Sequence, residues 1–167
     1  GISGATSWTS RLGTTLSLKP ERRRKARSPF PMSNVLYLVH RLPYPPNKGD
    51  KVRSYHLLEH LAKRHRVFLG TFVDDPQDTV HLPTVRSFCA DMHAVQLHPK
   101  LAKVRSLSGM LRNEPLTLAY YRSRSLQQWV ARTLREQQVD AAVAFSSPMA
   151  MFVEDQRAVP RRVVDFV

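Results

Sequence analysis

The apolar positions of this chain change period several times between residues 34 and 167, and each change marks an element. Val35 to Val39 is a near-continuous apolar run, as expected of a parallel strand buried on both faces. His40 to Asp50 holds three prolines, an asparagine and a glycine, which is turn chemistry and excludes a regular element. From Lys51 the apolar positions Val52, Tyr55, Leu57, Leu58, Leu61 and Ala62 recur at helical spacing, and Lys63, Arg64 and Arg66 follow where cations suit the helix dipole. Val67 to Val73 predicts a second buried strand, ended by Asp74, Asp75 and Pro76. Leu82 to Met92 predicts a short helix, and Ala94 to Leu97 a short third strand. Leu101, Val104, Leu107 and Leu111, interleaved with Lys100, Lys103, Arg105 and Arg112, predict a basic amphipathic helix. It reads either as a membrane-surface helix or as a core-facing helix with a solvated back. Ser125 to Gln138 predicts a further helix with Ser125 as N-cap, Asp140 to Phe145 a fourth strand, and Ser146-Ser147-Pro148 a turn opening a short helix through Val153. Arg162 to Val167 predicts a fifth strand. Strand and helix alternate throughout, so the expected class is α/β with a doubly wound parallel sheet.

In such a sheet, a strand feeding a Gly-containing loop and then a helix places free backbone N–H groups at the carboxyl edge, where anionic or sugar ligands bind. The loop from His40 to Asp50 has Gly49 as its one glycine and contains neither GxGxxG nor GxxxxGK[ST]. Dinucleotide and P-loop readings therefore fail. His40 ends the first strand, and Ser146 and Ser147 end the fourth, so all three are expected on one cleft edge. The plain alternative is a set of satisfied polar strand ends.

Charge and composition add three constraints. The formal charge of +13 is spread along the chain: residues 1–31 carry seven Lys or Arg against one Glu, and residues 32–167 carry nineteen against twelve Asp or Glu. Attraction to an anionic membrane or to phosphate-bearing substrates is one reading, and an ordinary Arg-rich surface the other. Residues 1–31 lack apolar periodicity and are expected to be a disordered basic leader. Three origins stay open for it: sequence upstream of a start at Met32, a basic arm for nucleic acid or acidic lipid, and a targeting peptide, with a secretory signal disfavoured by the missing apolar core. The single cysteine, Cys89, cannot pair internally and reads as a buried structural thiol in a reducing compartment. The seven histidines show no HxH or HExxH pattern, so no metal site is expected. His56 and His60 at i and i+4 are the weak exception. No apolar run approaches the ~20 residues of a spanning helix.

LYLVHRLPYPPNKGDKVRSYHLLEHLA, followed by HRVFLGTFVDDP, resembles the opening of glycosyltransferase family 4 enzymes. It is most similar to the sugar transferases of bacterial exopolysaccharide and exosortase (PEP-CTERM) gene clusters, whose amino termini look like LxLxHRxPYPPNKGDKxRSYHLLxxLA and HxVxLxTFxDDP. The resemblance covers about residues 32–167. It implies a Rossmann-like acceptor-side domain, the amino-terminal half of a GT-B fold, in a hexosyltransferase that moves sugar from a nucleotide-diphosphate sugar to a lipid-linked or polysaccharide acceptor. The implied location is cytoplasmic, with peripheral contact at the inner membrane face, no cofactor or metal, and no specific nucleic acid. It also implies a second domain holding the donor through Glu-x7-Glu. The five glutamates here, Glu21, Glu59, Glu114, Glu136 and Glu154, contain no such spacing, so residues 32–167 are expected to be incomplete and inactive alone.

By the same resemblance, Gly49 would let the backbone approach a sugar or diphosphate, with a positive φ as a further reason for glycine, and Asn47, Lys48 and Asp50 would hydrogen-bond acceptor or donor. Lys51 and Arg53 are expected in the first helical turn, within reach of phosphate. Against these stand a solvated basic face for Lys48, Lys51 and Arg53, and an ordinary N-cap for Asp50. The chain departs from the family after the fourth strand, where a histidine or aspartate is usual and Ser-Ser-Pro stands instead, so catalytic residues stay unassigned. The alternative from another class is a non-catalytic basic module that binds nucleic acid or anionic membrane.

Overall fold

In the computed structural model, residues 32–97, 120–154 and 159–166 are described. The expected leader over 1–31 and the basic helix over 101–111 lie outside them.

The elements follow the apolar pattern closely. β1 is Asn34–Val39, α1 Gly49–Ala62 and β2 Arg66–Val73. A 3-10 helix at Pro76–His81 runs directly into α2, Leu82–Arg86. β3 is Asp91–Gln96, α3 Arg124–Glu136, β4 Ala141–Phe145, α4 Ser147–Ala150 and β5 Arg162–Asp165. Three expectations are corrected. The helix read over Leu82 to Met92 is only five residues of α-helix: after Arg86 the chain tightens into i→i−3 bonds, Phe88 N–H to Val85 and Cys89 N–H to Arg86, and Ala90 N–H already donates to Val67 of β2 as β3 begins. β3 begins at Asp91 rather than Ala94. α3 is capped by Ser123, whose hydroxyl accepts from Leu126 N–H at 3.3 Å, and not by Ser125.

All five strands are parallel, in the order β3-β2-β1-β4-β5. β1 is central and alternates between two cores. Leu36 and Leu38 face Trp129, Val130 and Leu126 of α3, while Tyr37 and Val39 face Leu58 of α1 and Val85 of α2. These four β1 side chains are fully buried, each contributing about 1.5–3 kcal/mol of apolar transfer where the side chain is aliphatic or aromatic. Gly70 of β2 lets α3 approach: a Cβ there would lie 2.6 Å from Leu38, 2.9 Å from Leu126 and 3.2 Å from Trp129. Successive crossovers run outward on one side from β1 to β2 to β3, and then return to β4 on the other side of β1. The strand order reverses between β1 and β4, and α/β sheets of this Rossmann-like kind open a crevice at that point, beyond the carboxyl ends of the strands.

Candidate functional site

His40 and Ser146 follow the carboxyl ends of β1 and β4, the two strands that flank this point. Val39 pairs with Phe145 as the last step of the β1–β4 register, and His40 and Ser146 are the residues that follow. The His40 ring stacks on Phe145 at 6.2 Å and meets Tyr121 edge-on at 6.1 Å. Its Nδ1 lies 3.4 Å from the Phe145 carbonyl, and its Nε2 lies 3.6 Å from Asp50 Oδ2. Burial lowers the His40 pKa below the ordinary imidazole value, and the Phe145 carbonyl and Asp50 offset only part of that. A neutral imidazole is the result near neutral pH.

Charged groups surround this pair in matched sets. Arg41 Nη1 donates to Asp50 Oδ2 at 3.2 Å, and Arg41 Nε lies 2.8 Å from Asp74 Oδ2. The second contact is a close ion pair. Arg53 Nη2 lies 2.8 Å from the Asp165 carboxylate, and its guanidinium sits 5.7 Å above the Phe145 ring. Burial opposes charge on Arg41, yet Asp74 and Asp50 prevail and raise its pKa. Burial also raises the pKa of Tyr121.

Ser146 is unusual in two ways. It adopts φ 87° and ψ 147°, a region that residues with a Cβ rarely occupy. It is 8% exposed, and its hydroxyl has no hydrogen-bond partner. Arg41 Nε and Asp74 Oδ1 share that condition, so three of the four unpartnered buried side-chain polar atoms among the described residues lie at the carboxyl ends of β1, β2 and β4; the fourth is His65 Nδ1. Buried polar groups are normally satisfied. Arg41 and Asp74 are held by their mutual ion pair, so the Ser146 hydroxyl is the one of the three with no polar contact.

The expected loop residues divide. Asn47, Lys48 and Gly49 are exposed at the start of α1. Lys48, at the N-cap, makes no side-chain capping bond, which leaves the first-turn amides to solvent or ligand. Gly49 has no positive φ, and a Cβ there would meet open space, so the backbone reason for glycine is corrected while its openness remains. Asp50 is not the N-cap; it lies inside the first turn and faces Arg41 and His40. Lys51 is neither solvated nor turned toward the crevice: it is 3% exposed and donates to Asp78 of the 3-10 helix. Arg53 is engaged by Asp165, and Ser147 is exposed as the first residue of α4.

Arg41, Asp74, Tyr121 and Asp165 were absent from the sequence expectations. The Asp74-Asp75-Pro76 run marks the end of β2, and that position is the sequence signal for Asp74 at the edge. Two shallow grooves of about 380 and 400 Å³ flank Arg132 of α3 and share no residue with the crevice. Among the described residues no group of three His, Cys, Asp or Glu could hold a metal, and no helix is long and apolar enough to cross a membrane. His56 faces Glu59 at 3.7 Å. Comparison with family models, curated proteins and solved structures yields no match.

Proposed function

We propose that this domain is the acceptor-side half of a GT-B glycosyltransferase. The crevice at His40 and Ser146 would take a neutral, hydroxyl-rich ligand, a glycan or lipid-linked sugar that receives a sugar from a nucleotide-diphosphate donor. The single observation that carries the reading is Ser146, whose hydroxyl is buried without a partner at the end of β4, next to Phe145, on whose ring His40 stacks. Hydroxyls both donate and accept, so a polyol suits a site that offers both kinds of group.

The charge arrangement supports a neutral ligand over a phosphate. In glycosyl transfer, negative charge grows on the leaving diphosphate, and free cations or amides must meet it. Arg53 and Lys51 are already matched by Asp165 and Asp78, and Arg41 by Asp50 and Asp74. Among the described residues, Lys48 and the first-turn amides of α1 are the unmatched anion-binding groups on this edge, and with Glu-x7-Glu absent from this sequence the remainder of a diphosphate would be held by another domain. His40 and the rings of Phe145 and Tyr121 would supply an uncharged wall for the sugar, holding its hydroxyl for attack. The setting implied by the sequence resemblance, exopolysaccharide assembly at the inner membrane face, belongs to the same proposal.

Ligand-observed NMR and calorimetry on the 167-residue chain test this. Weak binding of neutral disaccharides, insensitive to salt and stronger than that of UDP-glucose, is expected, with no sugar transfer by the chain alone. Micromolar UDP-glucose binding would contradict it. Salt-dependent RNA binding without any saccharide affinity would favour a basic binding module instead.

A further inference from the structure

We propose that Ser146 is the specificity-determining contact of the crevice, its hydroxyl pairing with a hydroxyl of the bound ligand, and that the strained backbone at this residue persists because glycine cannot supply that contact. The inference rests on the crevice being a binding site for a neutral polyol.

At φ 87° and ψ 147°, a residue with a Cβ is strained and glycine is not. Everything that holds the conformation is backbone: Ser146 N–H donates to the Asp165 carbonyl at 2.8 Å, and Met149 N–H donates to the Ser146 carbonyl at 3.1 Å. A glycine would make both bonds. The usual reason for serine before a helix is capping, but Ser146 makes no side-chain capping bond to α4. Its hydroxyl is instead buried without a partner, which is unfavourable in itself. Two unfavourable features thus coincide at one residue, and one substitution would remove both. Such a residue has a physical rationale if the hydroxyl is completed from outside the chain.

The surroundings define the partner's chemistry. The β1–β4 register ends at Val39 opposite Phe145, the residue before Ser146; His40, whose pKa burial lowers, stacks on the Phe145 ring, and the nearby arginines are matched by carboxylates. A hydroxyl is therefore favoured over a phosphate or carboxylate as the group that Ser146 meets.

Ser146→Gly and Ser146→Ala, made in the full 167-residue chain, separate strain from recognition. Cellobiose, maltose and N,N′-diacetylchitobiose serve as probes, with affinity followed by ligand-observed NMR and stability by thermal unfolding. Ser146→Gly is expected to raise the melting midpoint by roughly 2–5 °C. Ser146→Ala, which keeps the Cβ, is expected to raise it less. Both are expected to weaken the best-bound disaccharide by roughly five- to tenfold. Wild-type-like affinity in both variants, with the wild type binding, would overturn the Ser146 assignment alone. A Ser146→Gly midpoint no higher than wild type would overturn the strain half of the inference. Failure of the wild type to bind any of the three would overturn the underlying reading of the crevice.

Discussion

Lys51→Met tests how α1 is anchored, and its outcome follows from burial rather than from charge count. Lys51 is 3% exposed and Asp78 8% exposed, and their hydrogen-bonded ion pair joins the first turn of α1 to the 3-10 helix after β2. Methionine retains most of the lysine stem, so little packing is lost. Asp78 is left with an unmatched charge where water has limited access. Removing one partner of a buried pair costs about 3–5 kcal/mol. The Asp78 side chain keeps 11% of its surface, and this access to water places the expected loss near ~3 kcal/mol. Against a total stability of about 5–15 kcal/mol, this is large. The midpoint should fall by roughly 6–12 °C, taking about 2–4 °C per kcal/mol. An exposed lysine in the same helix would lose almost nothing. Lys51→Met/Asp78→Asn removes the stranded charge and should recover more than half of the loss, a coupling of about 1–3 kcal/mol. Urea unfolding monitored by circular dichroism measures both variants. A loss below about 1 kcal/mol for the single variant, or a double variant no more stable than the single, would refute the buried-pair account.

Gly70→Val should destabilise the fold by about 1–3 kcal/mol, because its side chain meets Leu38, Leu126 and Trp129 at once; an unchanged denaturation midpoint would show that α3 can back away. Gly49→Val should leave the fold intact, since its Cβ enters open space at a helical φ, yet weaken saccharide binding if ligands approach the backbone there; unchanged affinity in NMR titration would remove Gly49 from the site. His40 has a lowered pKa in the fold, so the unfolded chain binds the proton more readily and stability falls as pH drops below the ordinary imidazole value. Burial lowers the His93 pKa too, adding to the same slope, so His40→Gln should flatten the pH dependence of the midpoint between about pH 7 and 5 without abolishing it. An unaltered slope would show that His40 does not titrate in this window.

The elements with strong apolar runs were readable within one or two residues, because β1, β2 and β4 bury side chains on both faces. β3 was read three residues short for a physical reason. It is an edge strand among the described residues, its side chains are only half-buried, and Asp91 and His93 interrupt the run that sequence periodicity depends on. Sequence placed His40 and Ser146 just beyond the carboxyl ends of the first and fourth strands, and those strands end in register at Val39 and Phe145. It could not show that Arg53 would meet Asp165, 112 residues away, since that contact follows from strand order. Nor could it separate Lys51 from Arg53: two cations two residues apart on one helix differ only in which face each presents, and one is buried while the other is largely exposed. The backbone at Ser146 was hidden as well, because Ser-Ser-Pro reads as an ordinary turn.

α1 is fastened along its first two turns. Asp50 is tied to Arg41, Lys51 to Asp78 and Arg53 to Asp165, and the Tyr37 hydroxyl donates to the Ser54 carbonyl at 3.1 Å. These ties reach the end of β1, the 3-10 helix and β5, so the helix cannot tilt outward without breaking contacts to three separate parts of the framework. This side of the crevice therefore acts as a template and not as a lid. An arriving molecule would find it already shaped, with little ordering entropy left to lose, and would be sorted by fit. On the proposed reading, the backbone of this side should superimpose within about 1 Å before and after a ligand binds.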